Sequence, residues 1–597
     1  MRDNSVSAAL SALAMRVPLL ALTAAALAAP AAAQTARAAV DQPTASLFEN
    51  QSRRAPAATA ASGRALVSAA DPRAAQAGAE MLRMGGSATD AALAAAIALT
   101  VVEPQSSGLG GGAFFVARDA KGAWTTIDGR ETAPAAAGPN WFIGSDGKPL
   151  GRRAAVESGR SVGVPGLIAL SAKAHAQGGR LPWRALFQPA IRLARDGWTL
   201  TPRFVRTVGF STQLVANSPA GRRFLDAEGK PLQVGARVTA PELAATFEAI
   251  AKAGPDAFYR GPIAAEIART VSQDPRGGAP MTIADLAAYR AVQRQPVCGR
   301  YRGWQLCGAP PPDSGPVAVL QVLGALERFD LKRLGPDNAA SWHLIAEAER
   351  MAYADRDAWV GDPGFTPVPT DGLTDPAYLA ERSALIREDR AQPRVVAGTP
   401  PGAPAAPQAT AVLENGTSAI VAADPAGAVV SLTSTVESIF GSGLSAGGFV
   451  LNNQLTDFDF QPVRDGRPAA NRVDGGKRPR SSMAPIIAIA PDGRVIAVGA
   501  AGGSTIIAQV AKTLIALIDW GMSPEAAIAE PVIYATPERT AIERGSKLER
   551  MAATLKALGH NVVVSDLPTK TQALLRSGSV VRGGADYRTE GQAVAVR

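Results

Sequence analysis

Two apolar runs parted by a single turn do most to limit how this chain can fold. Ala419-Ile420-Val421-Ala422-Ala423 reads as a buried strand. The turn Asp424-Pro425-Ala426-Gly427 follows, then a second run from Ala428 to Leu432 that enters Thr433-Ser434-Thr435. At the head of the first strand stands Gly416-Thr417-Ser418. A Gly-Thr peptide in that position is a place where a chain can cut itself. The cut exposes a threonine with both a hydroxyl and a free α-amine, a nucleophile and its base on one residue. Alone, a Gly-Thr pair is more often a turn that ends in a strand, so the surrounding sequence has to decide.

Other elements follow from local patterns. Leu66 to Ala70 reads as a strand, Asp71-Pro72 caps a helix through Met84, and Gly85-Gly86 stops it. A second helix is expected from about Asp90 to Val102, then a glycine loop at 108–112 and a strand from Ala113 to Ala117. The middle, about 160–390, is mostly amphipathic helix, clearest from Trp342 to Trp359. Residues 392–409 form a Pro/Ala linker without periodicity, ending just before Thr417, where a cut needs slack chain. Beyond it, short β runs at 419–423, 428–433, 486–490 and 494–499 precede a helical pattern at 506–518.

The N-terminus reads as a signal peptide, residues 1–33: Arg16 precedes the apolar stretch Val17 to Ala29, and Ala31-Ala32-Ala33-Gln34 offers small residues for cleavage. Met15 is an alternative start. The stretch is too short and Ala-rich for a membrane anchor. Residues 34–62 are polar and Ala/Pro-rich and are expected to be disordered. Export to a periplasmic or secreted location suits the two cysteines, Cys298 and Cys307, which flank a strand-turn-strand and are expected to form a disulfide. No histidine cluster accompanies them, which argues against a zinc site, and no metal or other cofactor is expected. The net charge of +9 is scattered, with one short cluster, Lys477-Arg478-Pro479-Arg480. Without interleaved aromatics it argues against nucleic acid and for a soluble basic surface that draws in anionic small substrates.

The segments around Thr417, Thr433-Ser434-Thr435, Phe440-Gly441-Ser442-Gly443 and Asn452-Asn453-Gln454-Leu455-Thr456-Asp457 resemble the small subunit of γ-glutamyltranspeptidases (glutathione hydrolases), as do Arg480-Ser481-Ser482-Met483-Ala484-Pro485 and Gly499-Ala500-Ala501-Gly502-Gly503-Ser504. Before Thr417, Gly85-Gly86-Ser87-Ala88-Thr89-Asp90, Gly108-Leu109-Gly110-Gly111-Gly112, Asp128-Gly129-Arg130-Glu131-Thr132-Ala133-Pro134, Pro310-Pro311-Pro312-Asp313-Ser314-Gly315 and the run Ala346 to Arg356 resemble the large subunit. The matches keep the family's order from about residue 64 to the C-terminus. The resemblance implies an α+β fold, the four-layer αββα sandwich of N-terminal-nucleophile hydrolases. It also implies cleavage between Gly416 and Thr417 into a large subunit (63–416) and a small catalytic subunit (417–597), which stay together as a heterodimer.

On the same resemblance Thr417 is the nucleophile, Thr435 orients it, and the backbone N–H groups of Gly502 and Gly503 form the oxyanion hole. Arg130, Ser481 and Ser482 match the clamp for the substrate α-carboxylate. Asp457 matches the ammonium partner, with Gln454 and Glu437 beside it. The implied substrate is glutathione or a related γ-glutamyl compound, with water or an amino acid or dipeptide as acceptor. Three departures stand out. Ala419 replaces the histidine of many relatives, and Glu437 an asparagine. The segment 459–476, expected to cover the site, is short and lacks tyrosine, which favours hydrolysis. Two alternatives are a cephalosporin (glutaryl) acylase of the same fold, which needs no ammonium-binding Asp457, and an uncleaved γ-glutamyl-peptide binding protein.

Other motifs carry less. Gly443-Leu444-Ser445-Ala446-Gly447 and Gly159-Arg160-Ser161-Val162-Gly163 fit a serine-hydrolase elbow only by composition, and a strand rather than a helix follows Ser445. The glycine loop at 108–112 lies between a helix and a strand, the wrong order for dinucleotide binding. His175, His343 and His560 are expected to be structural.

Overall fold

A computed structural model describes residues 56–404 and 416–597, residue 465 excepted. The signal-peptide stretch 1–33, residues 34–55 and the linker from 405 onward lie outside the described residues.

The two apolar runs pair as expected. Strands Gly416–Ala423 and Val429–Glu437 are antiparallel neighbours at the centre of a seven-stranded sheet. Strand Ala65–Ala69 flanks the first, and Gly112–Arg118 the second. Side chains alternate across this sheet. Ile420 and Ala422 point into a core shared with helices Pro72–Arg83, Ala88–Val102 and Leu167–Gly178. Val421 and Ala423 point the other way, into a second core. That core takes in Ile487 and Val498 of a second seven-stranded sheet and helices Gly315–Leu326, Ala339–Trp359 and Ile506–Ile518. Helices, sheet, sheet and helices thus stack in four layers, the expected αββα sandwich. Ser431 Oγ bridges the two sheets by donating to Val498 O at 2.9 Å. Ala419 is fully buried against Gly499 on the facing strand.

Helix Ala88–Val102 is buried at every position, which its run of alanines permits by keeping the helix thin between sheet and neighbouring helices. It begins two residues before the expected Asp90. Ser87 is the N-cap, and Asp90 closes a capping box with it.

Three expectations need correcting. Ordered structure begins before residue 63: Pro56–Thr59 is a 3-10 helix, and Ala61–Gly63 is an edge strand on Val581–Gly583. Backbone pairing holds this segment where its composition has no hydrophobic pattern to show. The linker is not slack throughout, since Gln392 N donates to Glu347 Oε2 at 2.9 Å and Gly398 N to Asp355 Oδ1 at 2.7 Å. The basic cluster is not a surface. Lys477, Arg478 and Arg480 are all buried. Lys477 Nζ donates to Ala470 O, while Arg478 and Arg480 sit beside Asp128 and Asp357. Carboxylates from distant segments supply the pairing that a buried charge requires.

Cys298 and Cys307 oppose each other on antiparallel strands Val297–Tyr301 and Trp304–Gly308 and form the expected disulfide, with Cα atoms 4.2 Å apart. His343 and His560, remote in sequence, meet in the interior with ring nitrogens 2.7 Å apart. Burial pushes the His560 imidazole down to about 3, the neighbouring His343 adding to it, so it is a neutral core group. No helix among the described residues is long and apolar enough to cross a membrane.

Candidate active site

Thr417 sits where the central strand pair loses its regular register. Gly416 faces Glu437 and Ser418 faces Ser434, so Thr435 and Val436 together oppose Thr417 in a bulge on the partner strand. Glu437, closing the bulge, has φ of +75°, a left-handed conformation costly for a side-chain-bearing residue. The bulge brings three oxygens together. Thr417 Oγ1 lies 2.5 Å from the Gly416 carbonyl oxygen and 3.3 Å from Thr435 Oγ1. Thr435 Oγ1 also donates to Gly416 O and accepts from Glu437 N at 2.8 Å. Residue 416 has to be glycine here, because a β-carbon would lie 2.5 Å from Glu437 O. The glycine loop at 108–112 supports the same strand from behind. A β-carbon at Gly111 would lie 1.9 Å from Thr435 O, so only bare backbone can pass. The loop is a packing device, which accounts for its glycines without a phosphate.

Beneath Thr417 lies a buried charge network that no local sequence pattern signals. Lys570 Nζ donates to Thr417 O at 2.8 Å and lies 2.8 Å from Glu103 Oε1. Glu103 also pairs with Arg203 at 3.0 Å and accepts from Ser418 Oγ at 2.6 Å. Burial pushes Lys570 down to about 8 against the pull of Glu103. Burial alone would raise Glu103, but the Lys570 and Arg203 charges and the hydrogen bonds hold it below the ordinary range. Thr417, Gly416, Gly502, Arg203 and Lys570 line one cavity. Gly502 leads into the 3-10 turn Gly503–Thr505 ahead of helix Ile506–Ile518, which places the backbone of one expected oxyanion-hole residue at the cavity that Thr417 lines.

The substrate-binding candidates converge in a second cluster. Asp457 ends the 3-10 turn Gln454–Asp457, and Gln454 Nε2 donates to Asp457 Oδ2 at 2.6 Å. Arg130 Nη2 lies 2.5 Å from the same oxygen and 2.8 Å from Arg480 O. Cation and carboxylate, expected to hold opposite ends of a substrate, are therefore in direct contact. Ser481 and Ser482 follow Arg480 and are pinned by large-subunit motifs. Ser314 N donates to Ser481 O at 2.8 Å, Ser481 N to Pro312 O at 2.9 Å, and Arg356 to the Ser482 hydroxyl. Glu437 differs from expectation. Its carboxylate pairs with Arg152 at 3.0 Å and accepts from Ser438 and Asn453. Its charge is already matched by a protein cation. Asn453 also donates to Thr456 Oγ1 at 3.1 Å, so hydrogen bonds run from Thr435 through Glu437 and Asn453 to the turn that carries Asp457.

A threonine at the head of a central strand in a two-sheet sandwich, against its own preceding carbonyl, is the arrangement of a self-processing N-terminal-nucleophile hydrolase. The gamma-glutamyltranspeptidase family model matches residues 74–596, and the chain belongs to that family. It is 35% identical over 544 residues to a glutathione hydrolase proenzyme of Bacillus subtilis, covering 89% of this chain and 91% of that one. It is 34% identical over 552 residues to the acylase ACY 1 proenzyme of a Pseudomonas species, covering 90% and 94%. Among solved structures it is similar to a cephalosporin acylase from Bacillus halodurans, with a TM-score of 0.80, 27% identity and 92% and 98% coverage.

Proposed function

We propose that this protein is a self-processing γ-glutamyl hydrolase/transferase acting on glutathione and related γ-glutamyl compounds. The observation that carries the reading is the Thr417 hydroxyl held 2.5 Å from the Gly416 carbonyl oxygen, with Thr435 bonded to the same oxygen. In processing, Thr417 Oγ1 adds to the Gly416 carbonyl carbon, Thr435 supports the developing oxyanion, and the hydroxyl proton passes to the nitrogen as the Gly416–Thr417 C–N bond breaks, leaving an ester and a free α-amine. Water then hydrolyses the ester, freeing the Gly416 carboxylate and the Thr417 hydroxyl beside the α-amine already released. Residues 63–416 and 417–597 remain together as large and small subunits.

In turnover the α-amine takes the Thr417 hydroxyl proton as Oγ1 adds to the substrate γ-carbonyl. The backbone N–H groups of Gly502 and Gly503 receive the oxyanion. The proton passes to the departing amine as the amide C–N bond breaks, and water or an acceptor amine then takes the γ-glutamyl group from Thr417. Arg130, Ser481 and Ser482 bind the substrate α-carboxylate, and Asp457 with Gln454 its ammonium. Each substrate charge then takes over part of the Arg130–Asp457 contact. Glu437 positions Asn453 and the Asp457 turn instead of meeting the ammonium itself. The protein works after export, as periplasmic or secreted enzyme.

Mass spectrometry of purified protein and paired assays on a γ-glutamyl and a glutaryl anilide test this. The expected result is a new chain starting at Thr417 and turnover of the γ-glutamyl compound. Preference for the glutaryl compound would indicate the acylase, and an intact chain in active protein would overturn the processing scheme.

A further inference from the structure

The Lys570–Glu103 pair is buried, lies against Thr417, and takes no part in the proposed reaction. Lys570 Nζ has four polar neighbours: Thr417 O and Glu103 Oε1 at 2.8 Å, and Ser418 Oγ and Ser106 Oγ at 3.3 Å. A lysine costs free energy to bury, and a neutral donor could satisfy the Thr417 carbonyl as well. The charge itself therefore calls for a reason. Covalent geometry puts the nitrogen of Thr417 within about 3.6 Å of its own carbonyl oxygen, so with Nζ 2.8 Å from that oxygen the ammonium lies within about 6.4 Å of the α-amine that cleavage releases.

Resting on the reading of Thr417 as an N-terminal nucleophile, we propose that Lys570 is a positioning residue that keeps the released Thr417 α-amine in its neutral, proton-accepting form. A cation that close disfavours a second cation, so the amine loses its proton at lower pH than an ordinary chain terminus. Other charges face the same point. Glu103, at the C-cap of helix Ala88–Val102, offsets part of the field, and Arg203, on helix Pro202–Phe210, restores some of it. Asp71, at the N-cap of helix Pro72–Arg83, and Glu590, before strand Gln592–Val596, act on the pair from outside. Glu437 is matched by Arg152. Of these groups Lys570 is the one bonded to Thr417 itself.

The test is the pH profile of kcat/KM for γ-glutamyl anilide in the cleaved enzyme. Loss of the cation in Lys570→Met, or in Lys570→Gln, which keeps a donor for the Thr417 carbonyl, should move the acidic limb up by about one pH unit, toward the ordinary α-amine range. Lys570→Arg should hold the limb within about 0.3 unit of the unmutated enzyme. A purely structural lysine would lower activity without moving the limb, and an unmoved limb in both neutral variants overturns the proposal. Failure of both neutral variants to cleave, while Lys570→Arg cleaves, would assign the cation to processing and overturns it too. If the unmutated chain shows no Thr417 terminus, the underlying reading fails instead.

Discussion

Arg130 and Asp457 form a buried ion pair across the Gly416–Thr417 bond in sequence, Nη2 to Oδ2 at 2.5 Å, each side chain 1% exposed or less. Under the proposed cut before Thr417, this contact would join the two subunits at the proposed substrate site. Removing either partner strands a buried charge, so Arg130→Ala and Asp457→Ala should each cost about 3–5 kcal/mol of stability beyond any loss of substrate binding. The Arg130→Ala/Asp457→Ala double variant should cost clearly less than the sum of the two. Denaturant titrations of the uncut Thr417→Ala chain carrying these changes provide the measurement. Additive costs would show that the pair is not coupled in the free protein.

Next to Arg130, Glu131 is fully buried, and burial raises its carboxyl to about 7 despite the Arg130 charge. The native state then holds this proton more tightly than the unfolded chain. The resulting penalty is absent at low pH, grows above the ordinary carboxylate range, and is complete once pH passes about 7. Glu131→Gln should therefore stabilise the uncut chain by up to about 3 kcal/mol at pH 8 and by little at pH 4.5. Thermal melts across that range read the gap directly, and a gap independent of pH would contradict the assignment.

The Cys298–Cys307 disulfide ties neighbouring strands at the edge of the second sheet. Closing so short a loop, it should contribute about 2–3 kcal/mol through the unfolded chain. Reductant should lower the melting temperature of the unmutated protein and leave that of Cys298→Ser/Cys307→Ser unchanged. Two titratable thiols in unreduced, unfolded protein would show that the bond does not form in solution.

What the sequence revealed and what it hid follow from the range of the interactions. Strands Gly416–Ala423 and Val429–Glu437 were readable from the largely apolar runs within them, 419–423 and 428–432, buried on two faces. The bulge that presents Thr417 was not, since register depends on the partner strand. Ser87 and Asp90 carry a capping box, a local signal in the sequence that marks the helix start at Ala88. Lys570 had no such signal. Thr569-Lys570-Thr571 has no periodicity or motif, and only the folded sheet brings it to Glu103 and Thr417. Arg152 was hidden likewise, so Glu437 looked available to a substrate that its partner anticipates.

Under the proposed function, the segment 459–476 bears on how readily water reaches the acyl-enzyme. It folds back on itself, with Asp459 N donating to Asn471 O at 2.8 Å, and Asn471 Nδ2 donating to Asp457 O at 2.7 Å. Phe460 stacks on Phe142 with centroids 4.3 Å apart, in a small apolar cluster with Phe458 and Val473. The segment is thus anchored beside the Asp457 turn by its own bonds and by the large-subunit segment, and it has no tyrosine to extend over the nucleophile. Water should reach the γ-glutamyl ester freely, so hydrolysis should dominate at neutral pH. A dipeptide acceptor should then raise turnover of a γ-glutamyl anilide by less than about twofold, because deacylation by water is already fast. Arg130→Ala and Asp457→Ala separate this from recognition, for each should lower kcat/KM by the equivalent of about 2–5 kcal/mol without changing the acceptor response. A many-fold stimulation by the dipeptide in the unmutated enzyme would mean that another part of the chain shields the ester and that the protein is a working transferase.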